Sequence, residues 1–266
     1  MTPATVVVIP ARLSSTRLPR KMLLAETGRT LVEHTWRTAA AAGGTVPPVV
    51  ATDSEEIAAA VRAFGGGVVM TSPSAPSGTA RIVEALDRLP AADVIVNVQG
   101  DEPELPPTAI ALAADLLARC PEAGVATLVT PLRRREDLDD PAAVKAVLTP
   151  WRRGGWRGPV EEGCWRAISF SRAAVPFARD WHDSLLAAQP PLYWQHVGVY
   201  AYRRRVLEEW NSLPESRLAA HESLEQLRVV EAGIPIVAGV ISHSARGIDT
   251  PKDYAAFVAR HRAAGD

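Results

Sequence analysis

Short apolar runs of strand length alternate with helix-length segments through the first half of the chain. The first run, Val6-Val7-Val8-Ile9, is wholly β-branched, which is typical of a strand buried on both faces. Strands that alternate with helices of about ten residues predict βαβ crossovers. The sequence therefore predicts an α/β fold with a mostly parallel sheet and helices on both of its faces.

The predicted elements follow one another without an internal repeat. The predicted strands are Val6–Ile9, Val49–Ala51, Val68–Met70, Val94–Val98, Gly124–Thr130, Val144–Leu148, Val197–Tyr202 and Pro235–Ile241. The predicted helices are Leu31–Ala42, Ile57–Phe64, Thr79–Leu89, Ala109–Leu117, Glu222–Glu231 and a last helix from Pro251. The charged run 133–140 is interpreted as a solvated connection. Residues 151–159 fit neither the periodicity of a helix nor that of a strand.

The regular alternation stops after Pro131 and returns near residue 235. We therefore predict a single domain of 266 residues with two parts. One part comprises about 1–131 and 235–266, and the other is a smaller lobe over about 132–234.

Composition excludes several classes of protein. The 29 Lys and Arg balance 30 Asp and Glu, so there is no general electrostatic reason to bind nucleic acid, and any anion site must be local. Cys120 and Cys164 lie far apart in the sequence without a CxxC pair, which argues against a disulfide framework or a zinc site. The first apolar run is too short for a signal peptide or a membrane span. We expect a soluble, cytoplasmic protein.

A basic loop follows the first strand directly. It contains Arg12, Arg17 and Lys21, with three hydroxyl side chains at residues 14–16. In open α/β sheets, ligands collect beyond the carboxyl ends of the strands, and arginine and lysine side chains bind phosphate oxygens there. The loop lacks the glycines of a Walker A or dinucleotide motif. It indicates a triphosphate site, with an ordinary basic surface loop as the alternative.

Two aspartates are candidates for a metal site. Asp101 closes the strand Val94–Val98, and Gly100 before it leaves room for a ligand. Mg²⁺ binds one or two protein carboxylates together with substrate oxygens, so an acid opposite a phosphate site suits it. A simple turn acid is the alternative for Asp101.

Asp249 comes just before the last helix. Thr250 is predicted to be its N-cap and Asp253 to sit at the third helical position, with Pro251 at the first. Those residues complete the helix start without Asp249. Asp249 therefore becomes the second candidate Mg²⁺ ligand.

These motifs resemble those of the 3-deoxy-manno-octulosonate (Kdo) cytidylyltransferases, also called CMP-Kdo synthetases. The matching blocks are Val8–Arg12, Ser15–Pro19 with Lys21, Ala51–Asp53, Ser77–Thr79 with Arg81, Val96–Pro103, Phe170–Ala173, His196–Tyr200, Glu222–Arg228 and Asp249–Pro251. They cover nearly the whole chain in the family's order. The resemblance implies a Rossmann-like nucleotide-diphospho-sugar transferase fold, with a nucleotide- and metal-binding part and a sugar-binding and dimerisation lobe.

The resemblance also implies roles for individual residues. Nucleotide-binding positions are Pro10, Ala11, Arg12, Arg17, Lys21, Ser77, Gly78, Arg81 and Gln99. Lys21, Asp101 and Asp249 fall on catalytic positions, and the two aspartates on those that bind Mg²⁺. Sugar-pocket positions are Arg172, His196, Tyr200, Glu225 and Gln226. An arginine suits the sugar carboxylate, and the other four side chains suit sugar hydroxyls. The alternative for Arg172 is a purely structural role, in which it ties the lobe to its surroundings.

The implied reaction is CTP plus Kdo giving CMP-Kdo and pyrophosphate, for lipopolysaccharide biosynthesis, by a cytoplasmic homodimer. The alternatives are the same chemistry on another sugar acid, such as an 8-amino-Kdo or sialic-acid-like substrate, a nucleotidyltransferase for a sugar phosphate, or a non-catalytic nucleotide-binding paralogue. The chain departs from the family pattern at Arg20, Ala80 and Ala219, and in a longer stretch between Lys145 and Ser171.

Overall fold

The chain folds into two units that each contain their own group of paired strands. This computed structural model describes residues 4–44, 46–155, 157–242 and 247–264. Contacts divide the chain between Ala111 and Leu112 and again between Ser244 and Ala245, so the first unit contains both ends of the chain.

The elements follow one another in this order. The strands are β1 (Thr5–Ala11), β2 (Val49–Thr52), β3 (Gly67–Met70), β4 (Val94–Asn97), β5 (Val125–Pro131), β6 (Lys145–Arg152), β7 (Val160–Ser171), β8 (Trp194–Arg203) and β9 (Ile236–Val240). The helices are α1 (Leu31–Ala41), α2 (Glu55–Ala63), α3 (Gly78–Ala85), α4 (Pro107–Arg119), α5 (Arg135–Asp139), α6 (Arg204–Glu208), α7 (Arg217–Glu222), α8 (Gln226–Glu231) and α9 (Pro251–Ala263).

The first unit confirms the βαβ prediction. Its strands lie in the order β3-β2-β1-β4, and all the pairings between them are parallel. Val6, Val8 and Ile9 on β1 are wholly buried, as a β-branched run in a central strand requires. Helix α1 begins where Thr30 accepts a hydrogen bond from the Glu33 backbone N–H.

The second unit is mostly antiparallel. Its strands lie in the order β8-β5-β9-β7-β6, and β6 also pairs with β8 at Lys145 and Ala146. Only β5 and β9 run parallel among these pairings. By contacts this unit includes β5 and β9, which the sequence had grouped with the first part of the chain, because both strands pair with its other strands.

Several sequence predictions for the second unit were wrong. Strand β7 was not predicted, because its polar and apolar residues alternate irregularly, with Glu161, Glu162 and Arg166 among them. Trp151 and Arg152 complete β6 instead of starting an irregular stretch. The predicted helix Glu222–Glu231 begins only at Gln226, because Ser223 has a φ of 52° and ends α7. The charged run 133–140 contains the one-turn helix α5.

The two cysteines meet in the second unit. Cys120 follows α4 and Cys164 lies on β7, and both are buried as free thiols. Burial, reinforced by the neighbouring Cys164, raises the pKa of Cys120 to about 12. The thiols therefore stay protonated, and packing is the role that this arrangement supports.

No helix in the described ranges is long and apolar enough to cross a membrane.

Candidate active site

A cleft of about 270 Å³ opens in the first unit at the carboxyl ends of β1 and β4. Its lining residues are Pro10, Ala11, Arg12, Ser14, Ser15, Thr16, Arg17, Lys21, Met22, Ala75, Pro76, Ser77, Gly78, Arg81, Gln99, Gly100, Asp101 and Asp249. The structure thus brings together every nucleotide-binding, catalytic and metal-binding residue that the sequence had singled out. Ligands of open α/β sheets bind at this edge.

Lys21 lies between the two predicted metal-binding aspartates. Its Nζ is 2.6 Å from Asp101 Oδ2 and 3.1 Å from Asp249 Oδ1. The lysine side chain is only 11% exposed, against 27% for Asp101 and 44% for Asp249. Arg17 adds a second cation, with its guanidinium 3.0 Å from Asp249 Oδ2. The two carboxylates therefore converge on one point, at which a cation already resides.

Close packing fixes the loop that carries Asp101. A Cβ on Gly100 would lie 2.9 Å from Met22 Sδ and 3.2 Å from the Pro10 carbonyl oxygen, so a side chain here would displace Met22 and crowd the Pro10 backbone. The hydroxyl of the wholly buried Thr35, on α1, donates to the Gly100 carbonyl over 2.8 Å. These contacts hold Asp101 at the mouth of β4.

The start of α9 positions Asp249. Thr250 and Asp253 form the predicted capping box, with Pro251 at the first turn. The Ile248 backbone N–H donates to the Asp101 carbonyl over 2.8 Å, which ties this segment to the Asp101 loop. The Asp249 carboxylate, which has no part in the cap, is left to face Lys21 and Arg17.

Glu102 is a site residue that the sequence analysis did not select. Its Oε2 is buried and makes no hydrogen bond within the described part of the chain. Burial and the neighbouring Asp101 and Asp249 raise the pKa of Glu102 to about 8. Its position directly after Asp101 was the available signal, but only the folded chain shows that its carboxyl group is buried.

The two aspartate carboxylates fit a divalent cation whose other ligands are water and substrate oxygens. In the described ranges, no group of three or more His, Cys, Asp and Glu side chains is arranged to hold a metal ion. The carboxylates of Asp101 and Asp249 converge on the Lys21 ammonium. Mg²⁺ typically binds one or two protein carboxylates, and water and substrate oxygens complete its coordination shell. The two aspartates therefore fit Mg²⁺.

Two of the predicted nucleotide-binding residues, Ser77 and Gly78, line another part of the cleft. Ser77 caps α3 by accepting a hydrogen bond from the Ala80 backbone N–H, over 3.1 Å. A Cβ on Gly78 would lie 3.2 Å from Pro10 Cγ and 3.7 Å from Gln99 Oε1, so these three predicted residues are neighbours. Ala80, one of the departures from the family pattern, contributes its backbone N–H to this cap.

Arg81 lines the cleft, but its guanidinium is largely committed to the protein. The residue is 3% exposed and donates to Asp53 Oδ2 over 3.0 Å. It also donates to the Thr71 hydroxyl and the Ser72 carbonyl. A buried arginine needs hydrogen-bond partners of this kind. Through these bonds Arg81 stabilises the wall of the cleft.

Arg20, one of the departures from the family pattern, has a left-handed backbone conformation. It has a φ of 55°, in the left-handed region that favours glycine, just before the turn that carries Lys21. Its guanidinium forms an ion pair with Glu56 at the surface. The turn therefore has a left-handed conformation at a residue other than glycine.

Two of the five predicted sugar-binding residues meet in the second unit. The rings of His196 and Tyr200 have centroids 5.3 Å apart, and Phe170 packs edge-on against His196 at 5.1 Å. His196 Nε2 lies 2.9 Å from the Thr127 hydroxyl. Burial lowers the pKa of His196 to about 3, so the imidazole is neutral at physiological pH.

Arg172 is anchored on backbone carbonyls. Its Nε donates to the Glu222 carbonyl over 2.7 Å, and its two terminal nitrogens donate to the Pro141 and Ser223 carbonyls over 3.0 and 3.5 Å. The Glu222 carboxylate accepts from the Ser171 hydroxyl and from the Arg172 backbone N–H, and these two bonds hold the pKa of Glu222 below its usual range. An arginine has five N–H groups, so two remain beyond these three bonds. Arg172 ties the lobe together and still has donors for a ligand.

The remaining two predicted sugar-binding residues begin α8. Glu225 is exposed, while Gln226 is 6% exposed. The Gln226 Nε2 is buried and makes no hydrogen bond within the described ranges. An unsatisfied buried donor costs about 1–3 kcal/mol, and such groups mark places where a ligand completes the bonding.

Comparison with known proteins identifies the family. The sequence pattern described as cytidylyltransferase matches residues 6–236. The chain belongs to the cytidylyltransferase family. It is 44% identical over 255 residues to the 3-deoxy-manno-octulosonate cytidylyltransferase of Rhodopirellula baltica, covering 96% of this chain and 97% of the relative. It is 40% identical to the 8-amino-3,8-dideoxy-manno-octulosonate cytidylyltransferase of Shewanella oneidensis, covering 92% and 94% of the two chains.

A solved structure confirms the predicted fold of this cytidylyltransferase. The CMP:2-keto-3-deoxy-manno-octonic acid synthetase complexed with CTP matches with a TM-score of 0.85 and 36% identity, covering 98% of this chain and 99% of that chain. A nucleotidyl transferase of Methanothermobacter at 15% identity and a TM-score of 0.55 shares the fold alone. The resemblance inferred from the sequence motifs is confirmed.

Proposed function

We propose that this cytidylyltransferase couples CTP to Kdo, releasing pyrophosphate and forming CMP-Kdo. The observation that carries the proposal is the polar cleft in which Lys21 joins Asp101 and Asp249. The named relatives supply the substrates, because they match over more than nine-tenths of both chains.

The chain's own residues would act mainly by positioning and by charge. The exposed guanidinium of Arg17 and the ammonium of Lys21 face the same cleft, together with Arg12 and the hydroxyls of residues 14–16. They would bind the triphosphate and offset charge that develops as the bond to pyrophosphate breaks. The attacking group is the anomeric hydroxyl of the sugar, so no covalent nucleophile on the protein is needed.

Asp101 and Asp249 would hold Mg²⁺, which supplies Lewis-acid polarisation of phosphate oxygens when it is bound. Lys21 forms ion pairs with both carboxylates, and Arg17 forms a further ion pair with Asp249. We therefore assign Lys21 two partners: the aspartates, and the phosphate oxygens of CTP.

The sugar acid would contact the second unit. The three bonds that anchor Arg172 leave two N–H groups for the sugar carboxylate. His196, Tyr200, Glu225 and Gln226 would contact its hydroxyls, and the buried unpartnered amide of Gln226 supports this assignment.

A second candidate substrate is the 8-amino analogue of Kdo. Relatives from Shewanella that are named for this substrate are 40% identical to the chain, close to the 44% of the Rhodopirellula relative. The two sugars differ at one terminal group, so identity at this level favours Kdo only slightly.

Pyrophosphate release measured over a panel of nucleotides and sugar acids tests the proposal. We expect turnover with CTP and Kdo in the presence of Mg²⁺, and little with ATP, GTP or UTP. A preference for 8-amino-Kdo or a sialic acid would change the assigned sugar substrate, while the proposed transfer of CMP from CTP would stand. A folded protein that binds CTP but turns over none of these sugars would support the non-catalytic alternative and refute the proposal.

The resemblance further supports a homodimer that works in the cytoplasm and serves lipopolysaccharide biosynthesis. The second unit exposes large apolar side chains, among them Phe177, Ile168 and Val160, which suit an interface between copies. Light scattering of the purified protein measures the oligomeric state directly, and a monomer at micromolar concentration would contradict the dimer.

A further inference from the structure

Strand β8 carries a bulge opposite Thr127. Thr127 on β5 is paired with Tyr200, and the next residue, Leu128, is paired with Val197, so Gly198 and Val199 fall between these pairs. A bulge bends its strand and disrupts the ladder locally. Residues four apart in a regular strand lie about 13 Å from one another, yet the rings of His196 and Tyr200 are 5.3 Å apart. The bulge therefore explains how these two side chains meet.

The Thr127 hydroxyl lies at the centre of this bulge. Thr127 is wholly buried. Its Oγ1 is 2.9 Å from the Val199 carbonyl oxygen, 3.3 Å from the Val197 carbonyl oxygen and 2.9 Å from His196 Nε2. One hydroxyl thus contacts two backbone acceptors and one ring nitrogen.

The position of the hydroxyl proton follows from these contacts. Carbonyl oxygens only accept hydrogen bonds, so the single Thr127 proton must point at them. If it pointed at the ring, hydroxyl and carbonyl lone pairs would face each other at 2.9 Å inside the protein. The Thr127 oxygen therefore accepts from His196, which requires that the proton of the neutral ring be on Nε2.

The other ring nitrogen is then a hydrogen-bond acceptor. His196 Nδ1 makes no hydrogen bond to any residue in the part of the chain that the structure describes. A neutral imidazole protonated at Nε2 offers only a lone pair at Nδ1. Such an atom binds a hydroxyl donor and not a carboxylate, which has no proton to give.

We propose that Thr127 is a positioning residue that holds His196 in the Nε2–H tautomer and so presents Nδ1 as an acceptor for a sugar hydroxyl. This inference rests on the proposed function, because the ligand of His196 is taken to be the sugar acid. It assigns the residue that orients His196 and the kind of sugar group that His196 recognises.

The first test needs no substrate. Two-dimensional NMR of the full-length protein labelled with ¹⁵N at histidine reports which ring nitrogen carries the proton, and a His196→Gln variant assigns the signal. We expect a protonated Nε2 and a bare Nδ1 at pH 7. A protonated Nδ1 in the wild-type protein would overturn the proposal.

The second test is kinetic and uses three variants. Thr127→Val keeps the shape and removes the hydroxyl, whereas Thr127→Ser keeps the hydroxyl. Thr130→Val is a matched control, because the Thr130 hydroxyl on the same strand donates to the Ser242 carbonyl and not to a histidine. For Thr127→Val we expect the KM for Kdo to rise about tenfold, as for one lost hydrogen bond, and the KM for CTP to change less than twofold.

The outcomes separate this role from the proposed function. Thr127→Ser should keep the Nε2–H tautomer and nearly normal kinetics, so it tests the proposal even if Thr127→Val fails to fold. Altered Kdo kinetics in Thr127→Ser with an unchanged tautomer would overturn it. A wild-type enzyme without turnover on Kdo refutes the proposed function, whereas an active enzyme with an Nδ1–H tautomer refutes the positioning role alone.

Discussion

At the scale of single residues, the cleft depends on ion pairs between acidic and basic side chains. Burial and the neighbouring Asp101 and Asp249 raise the pKa of Glu102, and Lys21 and Arg17 contact the two aspartates. Mg²⁺ binds one or two protein carboxylates together with substrate phosphate oxygens. This is the arrangement expected where a metal–nucleotide complex binds.

Replacing either aspartate should therefore remove turnover without unfolding the chain. For Asp101→Asn and Asp249→Asn we expect pyrophosphate release to fall at least about a hundredfold, because each loses a charge and not a packing atom. Glu104→Gln is the control, since Glu104 pairs with Arg260 and does not line the cleft. Nearly normal rates in either folded variant would exclude the proposed metal site.

Arg172 combines a structural contact with a proposed ligand contact. Arg172→Lys cannot reproduce three bonds to three carbonyls, so we expect the free energy of unfolding to fall by about 1–2 kcal/mol in urea titrations. If the two remaining N–H groups bind the sugar carboxylate, the apparent affinity for Kdo also falls about tenfold while that for CTP is unchanged. A folded variant with normal Kdo kinetics would leave Arg172 its structural role only.

At the scale of elements, helix starts place the reactive groups. Thr250 begins α9 immediately after Asp249, and Ser77 begins α3 immediately before Gly78. Each cap fixes the direction in which the chain enters the helix, and thereby the direction of the cleft residue next to it. Capping is thus coupled to function in this protein.

Removing the α9 cap should affect stability and activity together. We expect Thr250→Ala to cost about 1 kcal/mol of stability and to lower turnover, because the segment that presents Asp249 loses its capping box. Thr30→Ala, at the start of α1, removes a comparable cap from a residue that does not line the cleft. Thermal melting and pyrophosphate release for both variants decide the point. Equal activities at equal stability loss would contradict the coupling.

At the scale of the whole molecule, a neutral buried imidazole makes folding sensitive to acid. The described contacts of the His196 ring are with the Thr127 hydroxyl and the rings of Phe170 and Tyr200, and none of these partners carries a charge at acidic pH. Burial lowers the pKa of His196 to about 3, whereas an unfolded histidine has a pKa near 6.5. Between these values the unfolded chain binds more protons, so the native state loses stability as the pH falls.

Urea titrations from pH 7 to pH 4 measure this dependence. We expect the wild-type protein to lose more stability than His196→Gln, by about 1 kcal/mol for each pH unit below 6. His221→Gln serves as the control, because His221 is exposed. Parallel pH profiles for the wild-type and His196→Gln proteins would show that His196 is not the group responsible.

The sequence by itself determined the features that depend on neighbouring residues. The β-branched run of β1, the βαβ order of the first unit and the Thr250 capping box could all be predicted, because periodicity and capping act over a few residues. The motifs also identified the family, and with it the residues that line the cleft.

Only the tertiary structure decided the features that depend on pairing between distant segments. Lys21 sits between carboxylates 80 and 228 positions away, and the Oε2 atom of Glu102 is buried beside the two aspartates. Strand β7 forms because it pairs with β6 and β9, although its own residues alternate poorly. The bulge at β8 and its contact with Thr127 likewise require two strands to meet in one register. Such contacts involve long loops and cooperative packing, which leave no local pattern in the sequence.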